Sequence, residues 1–283
     1  MSTDADAAAQ TPVDDNAEVK EEKLRLGGMA LRNGLLVHGP THWAASVRRT
    51  DGTIATASGK KPRLKGRLST LPGSRGVIRL GEAMLVIPLV KKALPEAQLP
   101  FQNVTVLGTM AGASMTGAAL RRRAGGPAVE AAVAAISLAP SLVALRGGDL
   151  AAYHGVEHKA IAAYEQDDAD ARDAAKEHDR CGSHLMAPML ASNVAGAALL
   201  RGVMEKPGPV ANGAVALASI GLAVEVFSWS ERNSETSAAK ALRVPGHELQ
   251  RVLGTREPTE TQLEVGRAAL AEILRVEEAA AVG

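Results

Sequence analysis

The chain has 283 residues, enough to bury a core as one large domain or two small ones. Its 32 Lys and Arg against 31 Asp and Glu leave a formal charge of +1, so no global field draws it to nucleic acid or to an anionic surface. Aromatic residues make up 2% and cysteine occurs once, which excludes an intrachain disulfide and disfavours a β-sandwich, whose strands want aromatic and β-branched side chains.

Residues 1–23 are acidic, rich in small side chains and without the basic start and apolar run of a signal peptide; they read as a disordered tail. Residues 24–96 form a mixed N-terminal region. Within it Asp51-Gly52 is a hairpin signal, with short strands expected at 46–49 and 53–56. A basic run at 60–67 precedes GVIRLGEAMLVIPLVKKAL, where apolar groups recur at helical spacing between Arg79, Glu82, Lys91 and Lys92. That pattern predicts an amphipathic helix, either half-buried or lying on a membrane surface with the basic run near lipid phosphates.

From residue 97 the composition changes. Four nearly charge-free segments, about 97–120, 127–145, 185–203 and 207–228, approach the roughly 20 apolar residues that a membrane-crossing helix requires. Gly112, Ser114, Gly117, Gly196 and Gly213 suit close helix contact in lipid, and such contacts admit a homo-oligomer. Buried helices of a soluble α-helical protein are the competing reading, since alanine adds little hydrophobicity. The expectation is a mainly α, multi-pass integral membrane bundle of about four spans at 97–228, with a small β-containing region before it and a polar helical region at 229–283. In that last region Thr259 and Gln262 have capping-box spacing ahead of an apolar stripe, Leu263, Ala269, Leu270 and Leu274. An even number of spans puts both terminal regions on one side of the cell membrane, and the Lys and Arg of the N-terminal region place that side in the cytoplasm. The triplet Arg121, Arg122 and Arg123 argues for the opposite orientation.

Four of the seven histidines, the cysteine and both tyrosines fall in AAYHGVEHKAIAAYEQDDADARDAAKEHDRCGSHLMAP, residues 151–188. His154, Glu157 and His158 form H-x-x-E-H, which on a helix puts two imidazoles and a carboxylate on one face. His178 and Cys181 follow as H-x-x-C, with His184 beyond. Imidazole and thiolate together favour zinc or a comparable divalent transition metal over magnesium or calcium. The metal segment is therefore expected at 151–184, with His154, His158, His178 and Cys181 as ligands and Glu157 as general base. Glu165 shares the face of His158 but lies about 10 Å further along the axis, which suits it to support the site rather than to bind the ion. Three blander readings stand beside this one: a closed structural zinc on the same four ligands, histidines that only pack, or a solvated charged loop that happens to hold His178. His38 and His42 flank a Gly-Pro turn, as surface residues or as groups approaching the site from the N-terminal region.

YHGVEHKAIAAYE followed by HDRCGS resembles the YqhQ family of bacterial membrane proteins, a domain of unknown function described as a predicted metal-dependent enzyme. LGGMALRNGLLVHGPTHWAASVRRTDGTI, LPGSRGVIRLGEAM and VPGHELQRVLGTREPTETQLEVGRAAL are similar to its other blocks, so the resemblance covers all but residues 1–23. It implies roles for Tyr153, His154, Glu157, His158, Lys159, Tyr164, Glu165, His178, Cys181 and Gly182, and for Arg256, Glu257 and Pro258 further on, but not for His184. Tyr153, Lys159, Tyr164 and Glu165 would support the ligands. The chain departs from the family near Asn33, where members carry an acidic residue.

The functional expectation is a metal-dependent membrane enzyme, a hydrolase using a zinc-like ion, in contact with membrane lipid and not with nucleic acid. The alternative is a non-enzymatic membrane scaffold or regulator pinned by a structural metal. A transporter-like bundle has only Glu225 and Asn193 to line a path. No substrate is named by these residues.

Overall fold

The computed structural model describes residues 23–282 other than 65, 67–70, 72, 73, 147, 168, 169 and 206, so the expected acidic tail lies, but for Lys23, outside the described residues, as does part of the basic run at 60–67. The hairpin signal at Asp51-Gly52 folds as expected. Gly52 takes a φ of +85°, which glycine adopts without a Cβ penalty, and Asp51 accepts hydrogen bonds from the Thr53 amide and hydroxyl at 2.9 and 2.7 Å. The strands it joins are longer than the sequence suggested: β3 (His42–Arg48) and β4 (Ile54–Lys60), with Arg48 opposite Ile54. Two further strands precede them, β1 (Gly27–Leu31) and β2 (Gly34–His38), and all four form an antiparallel meander in the order β1-β2-β3-β4.

Both faces of this sheet are covered. On one, Val86, Val90 and Leu94 at the end of helix α1 (Ser74–Ala93) pack on Leu31, Leu36, Trp43, Ala45 and Val47. The opposite side of α1 exposes Leu80, Met84, Leu85 and Leu89, so the amphipathic pattern has a covered apolar edge and an uncovered one. The other face of the sheet takes α5 (Leu150–Gln166) and α9 (Glu260–Val282), through Tyr153, Val156, Leu263, Val265, Ala269 and Ile273 against Leu35, Val37 and Ala44. Each buried Val, Leu or Ile among them contributes about 1.5–3 kcal/mol. The capping box ahead of α9 forms: the Thr259 amide donates to Gln262 Oε1 at 2.9 Å.

Between these elements run α2 (Val104–Arg123), α3 (Pro127–Ser137), α4 (Ala139–Arg146), α6 (Met186–Val203), α7 (Pro209–Arg232) and α8 (Ser237–Leu249). Pro140 sits where α3 gives way to α4, as its missing N–H and its ring dictate. Among the described residues three segments are long and apolar enough to cross a membrane, Pro127–Arg146, Gly182–Val203 and Pro209–Arg232, rather than the four expected. The segment at 97–120 is the one that does not qualify. Its first residues form a 3-10 turn at Pro100–Gln102, the helix starts only after the Asn103 cap, and glycine, serine and threonine dilute the apolar content of that helix.

Two buried carboxylates tie this architecture together. Glu130, 1% exposed at the start of α3, accepts from Arg121 at the end of α2 (2.8 Å) and from Arg201 near the end of α6 (2.9 Å). Glu277 of α9 accepts from the Thr41 and His42 amides and the Thr41 hydroxyl, each at 2.7 Å, and so clamps the β2–β3 turn. Burial pushes the Glu277 carboxyl up, but these hydrogen bonds prevail and hold it below its ordinary value. Its stabilisation is therefore present above the carboxylate range and is lost as pH falls through the lowered folded-state value. Glu277→Ala strips the acceptor from two backbone donors and is expected to cost about 1.5–3 kcal/mol, read as a lower melting temperature of the purified chain; Glu277→Gln should recover part of the loss.

Candidate metal centre

Helix α5 is buried on nearly every side from Leu150 to Ala163. Tyr153 and Val156 face the sheet and α9, which turns His154, Glu157 and His158 toward the segment 170–181 and the turn after α8. Polar groups so placed need partners, and the neighbouring backbone supplies them. His154 Nδ1 lies 2.8 Å from the Gly254 carbonyl and His158 Nδ1 lies 2.6 Å from the Lys176 carbonyl. A carbonyl oxygen only accepts, so both rings carry their proton on Nδ1 and present a bare Nε2 lone pair. Hydrogen bonds of this kind orient imidazoles for metal binding and raise their basicity.

The three donors His154, His158 and Cys181 come together, their ligand atoms all within 4.8 Å of one another. Cys181 Sγ is 3.4 Å from His154 Nε2 and also accepts from the Ser183 amide. Burial pushes the Cys181 thiol up, so with no ion present the S–H donates to His154 Nε2. His158 is 2% exposed, and its Nε2 is buried with no hydrogen-bond partner among the described residues. Burial holds its ring neutral, down to about 3, with the neighbouring His154 lowering it further. An orphaned neutral imidazole nitrogen beside a second imidazole and a thiol fits a metal ion of the transition series. The group can hold one.

Glu157 stands next to this triad, 8% exposed. Burial pushes its carboxyl up to about 7, with His154 pulling the other way. Its position is set by β1: a Cβ on Gly28 would fall 2.6–2.7 Å from Glu157 Cγ, Cδ and Oε1, so only glycine lets the strand pass.

The fourth expected ligand is nearby but differently engaged. His178 stands 5.7 Å from His158, ring to ring, yet its Nδ1 accepts from the Arg180 amide (3.2 Å) and its Nε2 faces Glu165 Oε2 (3.3 Å). Glu165 also pairs with Arg180, so it supports His178 and not the triad. Lys159 is buried and donates to the Arg172 and Ala174 carbonyls at 3.0 and 2.7 Å, with Glu257 at 3.3 Å. Tyr153 packs in the core, and the Tyr164 hydroxyl accepts from the Leu24 amide; neither approaches the ligands. Arg256 braces α5 through the Ala151 carbonyl at 2.9 Å. Asn33 makes only structural bonds, to the Arg48 and Glu96 carbonyls and the Gln98 amide, and does not line the site.

Several participants carry no signal in the sequence. Gln250, fully buried, accepts from the His178 amide and donates to Ser183 Oγ at 2.7 Å, fixing the ligand turn. It opens a π-helical turn, Gln250–Gly254, whose last carbonyl is the one that holds His154. His38 lines the cavity, whereas His42 is taken up by Thr41. For β1's part in the site, the Gly27-Gly28 pair is the one sequence feature that points to a close approach.

A cavity of about 470 Å³ opens on the triad, lined by His154, Glu157, His158 and Cys181 on one side and by Leu26, Met29, Ala30, Pro100, Leu145 and Ile161 among others. Such a volume takes a small ligand or a short stretch of a larger one.

A family model described as protein of unknown function, DUF1385, matches residues 148–276. The match takes in α5, the ligand turn and the C-terminal block, just under half of the chain, and leaves out the N-terminal blocks on which the YqhQ resemblance also rests. No curated protein and no solved structure matches.

Elemental analysis of the purified chain tests the triad. About one equivalent of a transition metal is expected, lost in His154→Ala, His158→Ala and Cys181→Ser but retained in His178→Ala, whose ring nitrogens are otherwise occupied.

Proposed function

We propose that the chain is a metal-dependent membrane hydrolase with a zinc-like ion held by His154, His158 and Cys181. One observation carries this reading: the cavity reaches the three donors and the Glu157 carboxyl together, an arrangement that leaves room for substrate where a closed structural shell would not. Two imidazoles and a thiolate favour zinc among the divalent ions. When bound, the ion would supply Lewis-acid activation of water and of a substrate carbonyl or phosphoryl group.

The chain's own residues do the rest. The Gly254 and Lys176 carbonyls keep the His154 and His158 rings in the Nδ1–H form, so that Nε2 is free to ligate. Glu157, pressed against Gly28, accepts the proton of the attacking water and passes it to the leaving group. Apolar side chains around the cavity exclude competing water.

The setting of the reaction is the membrane surface. Segments 127–146, 182–203 and 209–232 cross the bilayer, and the site lies where Leu145, Gly182 and Ser183 meet their ends. Three crossings alone would put the sheet and α5, which pack together, on opposite sides, so we take α2, though less apolar, as a fourth; the sheet, the site and α9 then fall on one side, which we assign to the cytoplasm, where a reducing milieu keeps Cys181 available. The basic triplet weighs less against this orientation than its sequence suggested, because Glu130 neutralises Arg121.

Glu157→Gln separates this reading from a structural metal. The variant should keep its metal and its melting temperature while turnover of an ester, amide or phosphoester substrate falls by about 10²–10⁴. Unchanged turnover would sink the assignment of Glu157. Gly28→Ala should likewise keep the metal but displace the carboxyl and lower turnover, a loss read in the same assay.

A further inference from the structure

We propose that the open edge of β1 is a docking strand, and that the substrate laid on it is an extended polypeptide with apolar side chains. As a statement of substrate class this rests on the hydrolase reading. The docking itself stands on the backbone.

Among the described residues β1 is an edge strand, paired only with β2. The phase of its hydrogen bonding is set by the next turn. The Gly39 amide donates to the His42 carbonyl at 2.9 Å, and the Arg48 amide to the Asn33 carbonyl at 2.8 Å. In an antiparallel ladder bonded pairs alternate with non-bonded ones, so Leu35 and Val37 bond to β3 while Gly34, Leu36 and His38 bond to β1. Their partners are Leu31, Met29 and Gly27. The peptide groups of Gly28 and Ala30 therefore point away from the sheet, and no other described element bonds to them. Unpaired strand edges of this kind are templates for another chain.

That edge is a wall of the cavity. Leu26, Gly27, Gly28, Met29 and Ala30 line it in unbroken succession. A strand face would contribute every second residue; five in a row from both pleat directions mean that the cavity runs along the edge itself. The same cavity is lined by His154, His158 and Cys181 and by Glu157, which lies against Gly28. A ligand complementary to two outward N–H and C=O pairs at strand spacing is another extended peptide. Its side chains would point alternately toward Leu150 and Ile161 on the α5 side and toward Met29 and Pro100 on the other, all apolar. Gly28 gains a second reason to lack a side chain, because it lets the docked backbone and Glu157 approach the same point. Hydrolysis at this point breaks the C–N bond of the peptide. The hydroxyl of water goes to the carbonyl carbon, and its proton travels through Glu157 to the leaving nitrogen.

Binding, not turnover, is the test. The full chain carrying Glu157→Gln, in detergent, is titrated with a fluorescent hexapeptide of Leu and Val, and with two versions N-methylated at alternate amides in one phase or the other. The parent peptide should bind saturably. One methylated phase should lose about tenfold or more in affinity and the other should match the parent, because only one set of amides faces the strand. Ala30→Pro, which removes an outward N–H from an edge strand, should weaken the parent peptide to a similar degree. Equal binding of all three peptides, or no saturable binding of the parent, overturns the docking strand. The metal content of the unsubstituted chain, measured alongside, keeps the two readings apart. A chain that binds the peptide in a phase-dependent way but never holds metal overturns the hydrolase and leaves the docking strand. A metal-loaded chain indifferent to methylation does the reverse.

Discussion

Everything about this molecule turns on the burial of a helix that carries polar groups on one of its faces. Helix α5 brings two imidazoles, a carboxyl and an ammonium into the interior, where each needs a partner. For the imidazoles and the ammonium the partners are backbone carbonyls from two separate stretches of chain. Lys159 and His158 together thread the segment 172–176 along one flank of the helix. His154, with Arg256 on the Ala151 carbonyl, holds the turn after α8 along the other. The need to satisfy α5 thus dictates where the turn at 178–183 lies, and it leaves one nitrogen, His158 Nε2, with no bond among the described residues.

The same helix explains which parts of the site were legible in the sequence. H-x-x-E-H at helical spacing puts His154, Glu157 and His158 on one face whatever surrounds them, and the lone Cys181 adds a donor by residue type alone. His178 belonged to the same pool of donors. Only the tertiary fold shows its Nδ1 turned back on the Arg180 amide two residues along, a local bond that spacing does not announce. Gln250 and Gly254 act through a π-helical turn, which has no periodicity to detect. Of the fold, the Asp51-Gly52 hairpin and the capping box at Thr259 carry local signals and form as expected. Strands β1 and β2 are five residues each, apolar or glycine on both faces but for His38 at the end of β2, and give neither alternation nor length to distinguish them. The polar C-terminal region proved to contain a helix, α9, that covers most of one sheet face, a role visible only once the sheet exists.

The helical bundle is built on different terms from the sheet region. Its members bury few large side chains against one another, and Leu199, Val203, Val210, Leu217 and Leu222 face outward. What holds one end is electrostatic: Glu130 draws the ends of α2, α3 and α6 together through two guanidiniums. A carboxylate so enclosed would be costly alone and is stable because both charged partners reach it with good geometry. The opposite end needs no such lock, since it is anchored to α5, α8 and the ligand turn.

The distance along the chain between the parts of the centre has a consequence for its biosynthesis. The three donors of the triad are complete at 181, but the carbonyl that fixes His154 belongs to Gly254, and the helix that closes the sheet behind α5 begins at Glu260. Two apolar hairpin arms, α6 and α7, lie between. A nascent chain emerging residue by residue therefore exposes its imidazoles and thiol long before they can be oriented, and the hydrophobic arms must be accommodated first. Any ion held by this triad would consequently be acquired late, with the arrival of the C-terminal helix rather than with translation of the three donors.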